Sequence, residues 1–345
     1  MTFGVVDLFC GVGGLTCGLK KAGLDVVAGY DLDAKCEYPY IHNNHSIFIN
    51  KNIENVTGKE IKKLLQGYDV KILAGCAPCQ PFSRHQKDKK DRSKHKDWKL
   101  LYQFGRLVDE VRPHIVSMEN VPELEKEKVF SDFVATLTKL EYNVTYKVVN
   151  AADYGVPQRR KRLLLLASKK KKISFIQPTH QQPVTVREAI GNLPPIGAGE
   201  NNAIDRLHIT SRLSALNLQR IQHSVPGGNW HDWPDNLILN CHKKEKGQTY
   251  TSVYGRMRWE DVAPTITTQF TGYGTGRFGH PEQDRALTLR EGAIIQTFPE
   301  DYSFLPPNEK IVIKDVSRQI GNAVPPRLGE IIGLSILKHY QKCKK

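Results

Sequence analysis

Phe3-Gly4-Val5-Val6-Asp7-Leu8-Phe9-Cys10-Gly11-Val12-Gly13-Gly14-Leu15 opens on an apolar run that passes directly into three glycines. Val5 to Phe9 reads as a buried strand and residues 15 to 22 as a helix. Glycines between a strand and a helix let the backbone approach a ligand closely. The next apolar run, Val26 to Tyr30, ends at Asp31, where a carboxylate suits ribose hydroxyls in adenosine-binding folds. A dinucleotide fingerprint begun at Gly11 needs glycine at position 16, and Thr16 stands there. An adenosine cofactor without pyrophosphate fits better, and S-adenosyl-L-methionine is the candidate. A tight turn with no ligand is the other reading of this segment taken alone.

Outward from this stretch, Val70 to Ala74, Ile115 to Met118 and Leu163 to Ala167 read as further strands. Residues 59 to 66, 100 to 111 and 130 to 140 read as helices. The alternation predicts an α/β fold, a doubly wound Rossmann-like parallel sheet with helices on both faces. The pattern breaks after Lys172. Residues 177 to 285, rich in Pro, Gly, Asn, Thr and His, predict a smaller strand-and-loop domain. Helix returns at Thr288 to Gln296, and the amphipathic tail from Arg327 to Tyr340 is expected to dock on the first domain. The predicted division is 1–176, 177–285, a hinge and return segment 286–314, and a returning part of the first domain at 315–345.

Of 345 residues, 39% are hydrophobic and 25% charged, as in an ordinary soluble protein. The amino-terminal segment lacks the basic-then-apolar pattern of a signal peptide. Leu163 to Ala167 is far shorter than the roughly 20 apolar residues a bilayer requires. A cytoplasmic protein without membrane contact is expected. Seven cysteines, an odd count in a long chain, predict reduced thiols. Cys76 and Cys79 form a lone CxxC pair, so no metal site is expected. The net charge of +14 is concentrated: residues 84–99 carry +5 and residues 158–172 carry +8, leaving the remainder nearly neutral. Two such runs beside substrate-handling motifs predict a polyanionic partner.

Four more segments carry chemistry. Ala74-Gly75-Cys76-Ala77-Pro78-Cys79-Gln80-Pro81-Phe82-Ser83 leaves a strand for a loop. Met118-Glu119-Asn120-Val121 closes another strand. Gln158-Arg159-Arg160-Lys161-Arg162 opens a third, and Arg318-Gln319-Ile320-Gly321-Asn322-Ala323-Val324 lies near the end. With the glycine turn and Leu289-Arg290-Glu291, this ordered set resembles the DNA (cytosine-5) methyltransferase family, especially the bacterial restriction–modification type. The resemblance spans nearly the whole chain. It implies an inserted target-recognition domain at 177–285, double-stranded DNA as substrate, and a cognate endonuclease acting on the same site without a stable complex. A monomer is expected.

The chemistry is intelligible from the residues. Cytosine C5 is a poor nucleophile, but a thiolate added at C6 makes C5 an enamine carbon able to attack a methyl sulfonium. Only the thiolate is competent, and cationic surroundings favour it. Cys79, beside the basic 84–99 run, is the expected nucleophile. Negative charge then develops on the ring, and an acid near N3 neutralises it; the resemblance assigns this to Glu119. It also implies that Arg162 binds the cytosine O2, while Arg160 supports the site and the DNA backbone. Phe9 and Leu32 would flank adenine, with Gly11 and Gly13 beneath the cofactor and Asp31 on the ribose. Asn52 and Ile53 would contact the base, and Leu100, Asn322 and Val324 would close on the methionine part. Many relatives carry Glu at 31, a proline or phenylalanine at 77 and a large aromatic at 32.

A stacked base must leave the duplex to be reached. The charged segment from Pro81 to Lys99 is expected to be a loop closing over it, with Ser83, Arg84, Lys87 and Lys89 on DNA. In the smaller domain Thr267, Gln269 and Tyr273 offer groups for base edges, and Arg256, Arg258 and Arg277 suit guanines or phosphates. Two other readings compete. A tRNA cytosine-5 methyltransferase would share this machinery, but the insertion is longer than that branch carries. A catalytically dead binding protein would not be expected to keep Cys79, Glu119 and Arg162.

Overall fold

The computed structural model describes residues 1–78, 98–245 and 247–343. Its first half alternates strand and helix through β1 (Phe3–Leu8), α1 (Gly14–Lys21), β2 (Asp25–Asp31), α2 (Glu37–Asn44) and β3 (Ile47–Asn50). It continues through α3 (Gly58–Leu64), β4 (Val70–Gly75), α4 (Trp98–Val111), β5 (Ile115–Asn120), α5 (Lys128–Lys139), β6 (Asn143–Asn150) and β7 (Lys161–Ser168). Every expected strand and helix of this half is present. β3 and β6 lie outside the expectation. Both are edge strands, and β6 carries only the weak alternation Val144, Tyr146, Val148.

The seven strands form one sheet in the order β3-β2-β1-β4-β5-β7-β6. From β3 to β5 the neighbours are parallel, as helical crossovers require. The expectation of an all-parallel sheet fails at β7, which runs antiparallel to both β5 and β6. No helix intervenes between β6 and β7 other than a short 3-10 turn at Ala151–Tyr154, so the chain folds straight back.

The second half holds α6 (Val186–Ile190), α7 (Ala215–Gln222), α8 (Asn240–Lys243), α9 (Leu289–Ile295), α10 (Ile313–Asn322) and α11 (Pro326–Lys342). Between 177 and 285 the described residues form no strand, only short helices, turns and isolated bridges. The strand expectation there is corrected: the bridges Asn201–Ile209, Pro226–Arg256 and Arg256–Gly279 stay isolated, and none extends into a ladder. Ile221, Trp230, Trp233, Leu237, Tyr273 and Ala286 make a small core of their own. α9 starts on a capping box between Thr288 and Glu291. The tail docks as expected, α11 lying along α1. A Cβ on Gly18 would stand 2.0 Å from the Pro326 carbonyl oxygen, so this approach requires glycine.

One buried group links this fold to pH. Asp7, in β1, is 1% exposed; its Oδ2 accepts the Thr16 hydroxyl at 2.7 Å, and that hydroxyl lies 3.1 Å from the Tyr40 hydroxyl. Burial pushes the Asp7 carboxyl from its ordinary 3.8 to about 7. The folded protein therefore holds a proton that the unfolded chain releases. Stability from this group is complete below pH 3.8 and is lost as pH rises through about 7. Asp7→Asn, uncharged throughout, should out-stabilise the native chain by on the order of a few kcal/mol above neutrality and by little near pH 4. Denaturant melts at the two pH values check this; a gap that does not widen with pH refutes it.

Candidate active site

Glu119 stands near the carboxyl end of β5 and is only 2% exposed. Its Oε1 lies 2.9 Å from Nε of Arg162 on β7, and its Oε2 accepts the Cys76 thiol at 2.8 Å. The antiparallel register explains the meeting. Glu119 is opposite Leu164, and Arg162, two residues earlier, shares that face. Asn120, 3% exposed, donates through Nδ2 to the Ala77 carbonyl at 3.1 Å and accepts from the Val121 N–H at 2.8 Å. The turn leaving β4 is thus strapped to β5. Cys79, Ser83, Arg84, Lys87 and Lys89 lie outside the described residues.

The expected cofactor residues come from several segments. Phe9, Gly11 and Gly13 leave β1 with φ of 61°, 51° and 88°, a sharp left-handed turn. The Gly11 N–H donates to Asp31 Oδ2 at 2.8 Å and the Asp33 N–H to Oδ1 at 2.9 Å, while burial pushes the Asp31 carboxyl upward. The Lys51 N–H, just past β3, reaches the Asp31 carbonyl. Asn52 caps the turn holding Ile53, accepting from Glu54 N–H at 3.0 Å. Phe9, Ile53 and Leu100 share one hydrophobic cluster. A Cβ on Gly14 would lie 2.3 Å from the Val324 carbonyl oxygen, so the glycine turn meets the end of α10 backbone to backbone. Arg318 of α10 pairs with Asp33 at 2.9 Å, and Gln319 donates to the Lys35 carbonyl. Leu32 is 68% exposed, and Asn322 is exposed. The Asp31 acceptors, the close glycine turn and the open Leu32 fit an adenosine group at the carboxyl ends of β1 and β2.

Other expectations are corrected. Arg160 is 3% exposed and donates to the carbonyls of Ile266, Gly321 and Ala323; burial pulls its guanidinium down to about 9. It is an internal tie, buried away from the surface where a DNA backbone would lie. The basic run 158–172 does not form one patch either. β7 spans eight residues, roughly 25 Å at strand rise, so Lys169–Lys172 sit at the opposite end of the sheet from Arg162. There Lys169 and Lys170 lie over the rings of Tyr142 and Tyr340. Arg159 and Lys161 are the exposed cations at the catalytic end of the run.

In the smaller region Arg256 is 4% exposed, paired with Asp284 at 2.6 Å and donating to the Ile221 carbonyl. Tyr273 is 2% exposed with its hydroxyl on Ser224. Neither is available to DNA. Arg277 is partly buried and donates to the carbonyls of Gly227 and Gly228. Arg258, Thr267 and Gln269 are exposed. The segment at 266–268 rests on α10: Ser317 donates to the Thr268 carbonyl at 3.0 Å, and a Cβ on Gly321 would stand 2.4 Å from the Thr267 backbone.

Sequence reasoning missed three supports. Gln158, fully buried, accepts from the Ile266 N–H and donates to Gln296 and the Ile295 carbonyl. Gln296 in turn donates to the Ile320 carbonyl. Cys76, which in sequence is only half of a CxxC pair, donates its thiol to Glu119. Leu289-Arg290-Glu291 turns out to be scaffold: Arg290 pairs with Asp205, and Glu291 with the buried Arg285 at 2.7 Å.

Among the described residues no helix is long and apolar enough to cross a membrane. The sequence is 52% identical over 341 residues to a Type II methylase, M.HgiDII, of Herpetosiphon aurantiacus, covering 97% of this chain and 95% of that protein. It is 31% identical to the Type II methyltransferase M1.HphI of Haemophilus parahaemolyticus, across 98% and 87% of the two chains. The fold matches that of a methyltransferase from Entamoeba histolytica with a TM-score of 0.68 over 99% of each chain, at 18% identity. The sequence profile of the C-5 cytosine-specific DNA methylases matches residues 3–338, spanning the whole sheet, the site around Glu119 and most of the returning helices, and the chain belongs to that family of DNA (cytosine-5) methyltransferases.

Proposed function

We propose that the enzyme transfers a methyl group from S-adenosyl-L-methionine to C5 of a cytosine flipped out of duplex DNA, through a covalent bond between Cys79 and C6. The observation that carries this reading is the Glu119–Arg162 pair at 2.9 Å, beside the turn that leads from β4 toward Cys79. Asp31, the Gly11–Gly13 turn, Asn322 and Val324 would hold the cofactor, which supplies an electrophilic methyl on a positively charged sulfur. The Cys79 thiolate adds to C6, and the ring electrons move toward N3 and O2. Glu119 passes a proton to N3, and the Arg162 guanidinium holds O2, so the added charge is neutralised where it develops. C5 takes the methyl. N3 returns its proton to Glu119, and a solvent base takes the C5 proton; the electron pair left behind expels the Cys79 thiolate and restores the aromatic ring. The work belongs to the cytoplasm. By analogy with its Type II relatives, the enzyme would protect host DNA from an endonuclease that reads the same site.

Purified protein should transfer labelled methyl from S-adenosyl-L-methionine to duplex DNA and not to tRNA. Cys79→Ala should abolish transfer while leaving DNA binding, and Glu119→Gln should slow it at least tenfold. Duplex DNA carrying 5-fluorocytosine at the target should trap a denaturation-resistant adduct with the native enzyme only. Turnover by Cys79→Ala, an adduct on that variant, or equal activity on tRNA would each overturn the reading.

General affinity and sequence choice should separate along the chain. Neutralising Lys87, Lys89 and Lys90 should weaken all duplexes alike and flatten the salt dependence by about 0.9 in log–log slope per lost phosphate contact. Changing Thr267 or Gln269 should cost about 1–3 kcal/mol at one base pair with the slope nearly unchanged. Binding isotherms at several salt concentrations, on cognate and single-base-variant DNA, distinguish the two; lysine variants that altered the preferred sequence would refute the division.

A further inference from the structure

The carboxyl of Glu119 has two close partners, and the second takes no part in the methyl transfer described above. Arg162 approaches Oε1, and the Cys76 thiol donates to Oε2 at 2.8 Å. Cys76 is held independently. Its backbone N–H donates to the Leu8 carbonyl, its side chain packs on the cluster of Val5, Ile72 and Ala74, and Asn120 clasps the neighbouring Ala77 carbonyl. The thiol is therefore delivered to Glu119 from a turn fixed on both sides. In a pocket where Glu119 is 2% exposed, water does not replace a missing donor cheaply.

We propose that Cys76 is a positioning residue for methyl transfer, holding the Glu119 carboxyl in one orientation and keeping it a ready proton donor to N3. This rests on the reading that Glu119 protonates N3. The thiol acts in two ways. It pins a side chain whose terminal torsion is otherwise broad. By donating to the carboxylate it also stabilises the form left after the proton has gone to the base. A thiol is a weak donor, so the contribution is smaller than that of Arg162. Cys76 itself touches no reacting atom in this scheme.

The test compares Cys76→Ala, Cys76→Ser, Glu119→Gln and the Cys76→Ala/Glu119→Gln pair in the full-length enzyme, with labelled S-adenosyl-L-methionine and duplex DNA. Cys76→Ala should lower kcat roughly five- to tenfold, the scale of one hydrogen bond to a charged group made by a weak donor, with KM for DNA within about twofold of native. The limb of its pH–rate profile that reports the carboxyl should move to higher pH, because a carboxylate stripped of a donor holds its proton more strongly. Cys76→Ser keeps a donor and should restore both kcat and the profile. In the Glu119→Gln background Cys76→Ala should add no further loss. Thermal melts accompany every variant; if Cys76→Ala does not fold, Cys76→Gly, which also lacks the donor, replaces it. Native kcat and an unmoved profile in the donor-less variant, no rescue by serine, or a loss that multiplies with Glu119→Gln would overturn the proposal. Undiminished turnover by Glu119→Gln would instead remove the assignment of Glu119 itself, on which the role of Cys76 depends.

Discussion

A carboxylate that is 2% exposed at the end of a central strand cannot stand there without donors, and the site is organised around supplying them. An ion moved from water into a protein interior loses several kcal/mol of solvation unless partners with good geometry replace it. Glu119 receives the positive charge of Arg162, 2.9 Å away on the neighbouring strand, and the thiol hydrogen bond of Cys76 from the turn after β4. Both partners come from segments that are themselves anchored, Arg162 by the ladders of β7 and Cys76 by β1 and Asn120. Displacing either segment would leave the carboxyl short of a donor, so sheet register and catalytic geometry are one constraint.

The reversal of β7 follows from the same arrangement. A parallel strand at that place would have presented its carboxyl end, with Ser168, beside Glu119. The antiparallel strand presents its beginning, where Arg162 stands. The reversal also divides a run that is continuous in sequence. Its first cations lie at the Glu119 end of β7, while Lys169 and Lys170 cap aromatic rings roughly 25 Å away. Local charge density in the sequence is thus a poor guide to a charged surface when a strand passes through the run.

The smaller region shows a second consequence of missing ladders. Its backbone forms isolated bridges and turns, which leave carbonyls in need of donors. Arg256, Arg277 and Arg220 supply them from buried or partly buried positions, and Arg160 does the same where this region meets the sheet. A guanidinium has five N–H groups and is well suited to bind several carbonyls together. Arginines expected to read DNA are therefore spent on holding the loops in which Arg258, Thr267 and Gln269 remain exposed.

The sequence by itself determined the alternating core, the glycine turn, the acidic end of β2 and the docking of the last helix. These are carried by local periodicity, by turn chemistry, and by residue types set at the ends of strands. Only the tertiary structure decided the direction of β7, the edge strands β3 and β6, the burial of Arg160, Arg256 and Tyr273, and the contact between Cys76 and Glu119. Each of these depends on which segment lies beside which. Strand direction depends on the connection and the partner ladder, and an arginine is exposed or internal according to whether a distant carbonyl needs its donors. Cys76 and Glu119 are 43 residues apart in the chain, and no spacing rule joins them until β4 and β5 are laid side by side.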